Sequence, residues 1–306
     1  LLPRDANGDL VVVSEMKLLT EMSPVKIGST QISVFPGVAD EDTEEMINGL
    51  RGLDLAVHLI LMVGGADPMN PADEDKVVEM LKSGLEVAKK YNIKEVASTS
   101  IEEWMQPGAS PKTGADYDAA IAQNVKLHIR ALNETNAIEA GIQHWHIEFL
   151  RGGEFQTFTN VAKCWDFIKA INAEMGSKFF KVMVDAAHCG DSDLSIPENE
   201  QKIAEIAASD EFSMFHASAK TTRGCLSTDD GWIGALLTAA AKTGKLETVF
   251  VELFHHDDVA LEALRNLEPG HGVDTTDGRS YNEVVADGLG DTAHRLNNLV
   301  ARGFLS

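Results

Sequence analysis

Four polar residues sit at the ends of apolar runs that would otherwise read as uninterrupted core. Glu148 lies near the end of Ile142–Leu150, and Asp185 closes Phe179–Asp185. His216 is next to last in Phe212–Ala217, and Glu252 is next to last in Thr248–Leu253. They are 37, 31 and 36 residues apart. Carboxylates in such places are costly, because burial disfavours the charged form and like charges raise one another's pKa. One divalent cation shared by all four removes that cost. Three carboxylates and an imidazole form a mixed oxygen and nitrogen donor set. It suits Mn2+, with Mg2+, Co2+ or Zn2+ as alternatives, and leaves positions for substrate oxygens that a closed structural zinc lacks. Any one of the four, taken alone, reads as an ordinary strand-end group bonded to a neighbouring loop. All four at matching positions, each with ligand chemistry, favour the ion.

Such residues meet only if their strands are neighbours and run the same way. Strands are expected at Leu10–Val13, Lys26–Phe35, Leu53–Val63, Lys94–Ser98 and the four runs above, most of them bounded by Gly, Pro, Asp or Ser. Helices are expected between them, at Asp42–Leu50, Pro71–Tyr91, Asp116–Ala140, Thr159–Glu174, Pro197–Ala208, Asp230–Thr243, Asp258–Leu267 and Tyr281–Arg302. The alternation implies βαβ units and a parallel sheet. Eight strands in 306 residues leave about 38 per unit, as in an α/β fold of the (β/α)8 TIM-barrel type, a single domain over 1–306. An open doubly wound sheet is the competing architecture. No G-x-G-x-x-G or G-x-x-x-x-G-K-[ST] loop follows an early strand, which favours the barrel. In a barrel, equivalent strand ends share one mouth.

The composition narrows the function. With 26 Lys+Arg against 48 Asp+Glu the formal charge is −22, which repels phosphate backbones and anionic lipid, so neither a nucleic acid nor a membrane is expected as a partner. The hydrophobic fraction of 44% supports a full core. The longest apolar run, Leu53–Val63, is too short to span a bilayer. Cys164, Cys189 and Cys225 form no C-x-x-C pair, and their odd number points to a reducing, cytoplasmic setting.

With these motifs the sequence resembles the xylose-isomerase-like TIM-barrel superfamily (the sugar phosphate isomerase/epimerase family), its site most like that of the ketose 3-epimerases acting on D-tagatose and D-allulose. The resemblance is specific over Gln143–Asp258 and architectural before it. It implies a metal held by Glu148, Asp185, His216 and Glu252. It also implies substrate contacts from His188, three residues after the Asp, from Arg223 in HASAKTTRG, and from Glu154, six residues after the first Glu. The sequence departs from that pattern at Leu150–Gly153 (LRGG) and after His188 (CGDSDLS), which bears on the sugar more than on the metal. The implied activity is that of a metal-dependent sugar isomerase or epimerase. A proton moves at a carbon next to a carbonyl through a metal-stabilised enediolate, with Glu148 and Glu252 as the acid–base pair. A lyase or hydrolyase acting on 3-oxo-sugars or C-glycosides would use the same metal, and a non-catalytic sugar-binding barrel is a further alternative. The superfamily's three-zinc nuclease branch needs histidines on earlier strands and a D-x-H after the metal His, and Lys94–Ser98 and Asp229-Asp230-Gly231 supply neither. The expected partner is a small sugar, with a homo-oligomer compatible with the sequence.

Other residues admit two readings. His144, His146 and Glu148 share a strand face, so His146 lines the mouth below the metal or is satisfied inside the barrel. His255 and His256 lie on a loop near the pocket or are solvated. His58 reads as core. Trp104 and Trp232 form a sugar-facing wall or pack in the core.

Overall fold

The computed structural model describes residues 2–35, 37–219, 231–253, 262–267 and 278–305. Among these are seven strands: β1 (Ser29–Val34), β2 (Ala56–Leu61), β3 (Glu95–Ser98), β4 (His144–Glu148), β5 (Phe180–Asp185), β6 (Phe212–Ala217) and β7 (Thr248–Val251). Each pairs in parallel with the next, in chain order. The helices are α1 (Val11–Met22), α2 (Asp40–Gly52), α3 (Glu74–Lys90), α4 (Ala115–Thr135), α5 (Val161–Met175), α6 (Ala186–Gly190), α7 (Ile196–Ala208), α8 (Trp232–Lys242), α9 (Glu262–Leu267) and α10 (Tyr281–Ala301). The result is a nearly closed α/β barrel. Every residue of β5 and β6 is buried, as a parallel sheet covered on both faces requires. None of the described helices is long and apolar enough to cross a membrane.

The expected first strand, Leu10–Val13, is instead the start of α1. Three consecutive valines favour strand only weakly. The longer pattern decides the outcome, because Val12, Met16 and Leu19 recur at helical spacing, the first two packed against the core and Leu19 buried. A β-carbon on Gly49 of α2 would lie 2.8 Å from both methyls of Val13, so α1 and α2 meet at a distance only glycine allows. The expected helices beginning at Asp230 and Asp258 start in residues outside those described; their described parts are α8 and α9. The short α6, unforeseen in the sequence, comes directly after β5.

Side chains along each strand alternate between the barrel interior and the helical layer. Behind β4, Trp145 donates to Ser98 Oγ (2.8 Å), and Ser100 bridges Ser98 (2.6 Å) to His128 Nε2 (2.7 Å) on α4. Inside, Ala97, Met183, Met214 and Phe250 form an apolar layer with Ile60 against it. Between β7 and β1, whose edges are not hydrogen-bonded to each other, lies a cavity of about 610 Å³. Met16, Leu19, Val285 and Leu289 of α1 and α10 line its outer side, and Gln31, His216, Phe250 and Glu252 its inner side.

Candidate metal centre

Parallel strands in register bring four C-terminal ends to one level. Glu148 and Asp185 are the last residues of β4 and β5, His216 is next to last in β6, and Glu252 comes just after β7. Register pairs Asp185 with His216, and the Glu252 N–H continues the ladder to the Ala217 carbonyl (3.1 Å). One donor atom from each of the four lies within 4.8 Å of those of the others. His216 Nδ1 is 3.7 Å from Glu148 Oε1 and 3.7 Å from Glu252 Oε2. Donors about 2.1 Å from a common ion stand roughly 3 to 4 Å apart. Glu148, Asp185 and His216 are buried, while Glu252 keeps part of its surface in the mouth.

The tautomer of His216 bears on which ion fits. Its Nε2 faces Gln31 Oε1 on β1 at 3.0 Å, and a carbonyl oxygen can only accept, so the ring proton belongs on Nε2. In the neutral ring the lone pair is then on Nδ1, which is buried, has no hydrogen-bond partner among the described residues and faces two carboxylates at 3.7 Å. Lone pair and carboxylates repel unless a cation lies between them. The donor set therefore fits a divalent metal on the structure's own terms, and Gln31 fixes the imidazole the way outer groups commonly orient metal-bound histidines. Gln31 is a site residue the sequence did not reveal, since a neutral amide within a strand carries no chemical signature.

Asp185 has a second task. It caps α6, its Oδ1 accepting the His188 N–H at 2.6 Å, so the residue that closes β5 also aims the helix that carries His188. His188 Nδ1 accepts the Arg151 N–H (3.2 Å), which places its ring proton on Nε2, 3.4 Å from Glu148 Oε1. Arg151 and Glu154 form a buried pair (2.9 Å), and Trp104 donates to Glu154 at 3.2 Å. Glu102 accepts backbone N–H groups of Gln156, Thr157 and Phe158 at 2.8–3.1 Å, joining the loop after β3 to that after β4. Arg151 thus secures His188 through its backbone N–H and Glu154 through its guanidinium. Cys189 is buried, which raises its thiol pKa well above the ordinary value and keeps it from acting as a nucleophile.

The structure thus gathers Glu148, Asp185, His216 and Glu252, with His188 against them and Glu154 one step out beyond Arg151. His146 is not in the mouth. It lies on the interior face as expected, but its Nε2 is bonded to Glu95 Oε2 at 2.9 Å, toward the other end of the barrel. The carboxylate on the neighbouring strand claims the ring. Arg223, His255 and His256 lie outside the described residues.

No family model matches the sequence, and no curated protein matches it. Solved structures match it closely in shape. L-ribulose 3-epimerase superposes with a TM-score of 0.74 at 15% identity, over 99% of this chain and 93% of that one. D-Allulose 3-epimerase from Methylomonas sp., in complex with D-allulose, gives 0.73 at 15%, over 94% and 93%. 3-Keto-D-glucoside 4-epimerase from E. coli gives 0.62 at 14%, over 94% and 97%. The chain is thus folded over nearly its full length like the barrels of these sugar epimerases.

Proposed function

We propose that this protein is a divalent-metal-dependent sugar epimerase or isomerase that moves a proton at a carbon next to a carbonyl. One observation carries the reading: Glu148, Asp185, His216 and Glu252 converge at the C-terminal mouth of the barrel, where barrel enzymes place their chemistry. The likeness in shape to several sugar epimerases supports it. A divalent ion held by these four would supply Lewis acidity toward a bound carbonyl, Mn2+ being the best match to three oxygens and one nitrogen. Glu148 takes the proton as the C–H bond breaks. Glu252, less buried, gives a proton back to the same carbon. Return to the opposite face inverts the centre, and the two carboxyls reset by exchanging protons with solvent. His188, with its proton on Nε2, donates to a substrate oxygen. The buried Arg151–Glu154 pair holds the loop that closes on His188. The substrate is a small ketose. Free thiols at Cys164 and Cys189 support a reducing, cytoplasmic setting.

The test is incubation with Mn2+ and ketoses in D2O. Deuterium at the carbon beside the carbonyl, with both epimers present, is the expected result. Release of an aglycone from a 3-oxo-glycoside, without epimer formation, would replace the reading by a lyase. Sugar binding with no turnover would reduce it to a binding barrel.

A further inference from the structure

We infer that the opposite end of the barrel carries a second metal site, formed by Glu95, His144 and His146, that takes a zinc-like divalent ion independently of the mouth. The inference does not depend on the reaction proposed above.

Glu95 opens β3 and His144 opens β4, and register pairs them directly. His146 is two residues further along the same strand face. Nδ1 of His144 lies 3.1 and 3.2 Å from the two Glu95 oxygens, and Nε2 of His146 lies 2.9 Å from Oε2. The three donor atoms all fall within 4.8 Å of one another. Donors about 2.1 Å from a tetrahedral ion are roughly 3.4 Å apart, so small side-chain shifts open the cluster to one. Two imidazoles and a carboxylate leave a fourth position for water and suit zinc and its neighbours better than Mg2+ or Mn2+.

The setting distinguishes this group from incidental surface polarity. The interior of such a barrel is ordinarily filled by branched aliphatics. Here His58, Glu95, His144, His146 and Lys181 occupy the basal layers instead, and His58 Nδ1 and His146 Nδ1 are buried without hydrogen-bond partners. His146 is 1% exposed and forms the deep side of the site, whereas the His144 and Glu95 side chains are 28% and 23% exposed and open it to solvent. Lys181, in register beside His146, opposes a cation, and Asp210, within electrostatic reach of both His144 and Lys181, is paired with Lys245 at 2.6 Å, so Glu95 supplies the negative charge of the site. The Ala97, Met183, Met214 and Phe250 layer separates the base from the mouth, so the two ends load separately.

The experiment counts zinc. The purified chain is stripped with a chelator, refilled with Zn2+, desalted and analysed for metal, alongside Asp185→Asn, His144→Gln, Glu95→Gln and the Asp185→Asn/His144→Gln pair, with circular dichroism confirming each fold. Two equivalents are expected for the wild type, one for each single variant and none for the pair. One equivalent in the wild type, lost in Asp185→Asn but kept in His144→Gln and Glu95→Gln, overturns the basal site and leaves the mouth intact. One equivalent lost in His144→Gln but kept in Asp185→Asn upholds the basal site and removes the mouth reading. Two equivalents in both basal variants, or none in the wild type, also overturn it.

Discussion

The same strand, β4, feeds two carboxylate–imidazole clusters at opposite ends of one barrel, and they solve the problem of buried charge differently. Glu148 stands at the mouth; four residues earlier, about 13 Å along the strand, His144 stands at the base. At the mouth three carboxylates face one imidazole whose lone pair is turned toward them. At the base one carboxylate faces two imidazoles. Burial pushes Glu95 up, but hydrogen bonds from His144 and His146 outweigh it and hold its carboxyl at about 2. The base therefore satisfies its carboxylate with N–H donors already on the protein, and an ion there displaces hydrogen bonds. The mouth has an excess of negative donors, and an ion there relieves repulsion. On the function proposed above, a metal would be required at one end and optional at the other, although the ligand types overlap.

The sharpest way to break this contrast is to remove one negative charge from the mouth without disturbing its frame. Asn caps a helix nearly as well as Asp, so Asp185→Asn keeps α6 and the position of His188 while weakening the metal set. Turnover is expected to fall by at least about 10²-fold, with loss of one metal equivalent and little change in melting temperature. Glu252→Gln is expected to fall by a similar factor, because it removes the proton-returning group as well as a ligand. Full activity in both, measured as epimer formation with saturating Mn2+, would show that the mouth works without its carboxylates.

The two ends also differ in how far they could be read from residue order. The convergence at the mouth was legible because each of the four residues interrupts an apolar run at intervals near one βα unit, so the polar residue stands out and the barrel aligns it. The base was not. Glu95 and His144 look like ordinary polar strand starts, and only the β3–β4 register brings them together. Of the two readings of His146 the structure takes the ring bonded inside the barrel, a choice the sequence leaves open because period-2 alternation gives the side of a strand and not the depth at which a partner claims it. Leu10–Val13 failed for a related reason: three valines carry a local strand signal that the longer 3.6-residue pattern through Leu19 overrides.

Acidification sharpens the contrast from outside both clusters. His128, behind β4, is fully buried against Trp145, Phe167 and Phe180, and burial lowers its pKa to about 4 even though the Asn124 carbonyl favours its charged form. The unfolded chain takes up this proton first as pH falls through the ordinary value near 6.5. The stability owed to a neutral His128 is therefore complete above about 6.5, declines between 6.5 and 4, and levels off below; the loss is about 3 kcal/mol in all. His128→Gln is expected to be less stable at neutral pH but to lose less on acidification. Urea midpoints at pH 7, 5.5 and 4 check it. Parallel losses in wild type and variant would place the acid sensitivity in the clusters instead.

The smallest effect tests the tautomer on which the mouth depends. Gln31 reaches from β1 across the gap left between β1 and β7, accepting the His216 proton while its amide nitrogen rests 4.0 and 3.8 Å from the sulfurs of Met183 and Met214. Thioethers are weak acceptors, so little is lost at that end when the amide is changed. The oxygen matters more, because without it the imidazole is free to turn or to move its proton to Nδ1, where it would block the ion. Gln31→Leu is expected to weaken Mn2+ binding about 10–100-fold with the zinc count at the base unchanged. Gln31→Glu keeps an acceptor at the same reach and should hold the affinity near or above that of the wild type. Equal affinities in wild type and Gln31→Leu, measured by calorimetric titration, would mean that His216 is oriented by its neighbours in β6 and not from across the barrel.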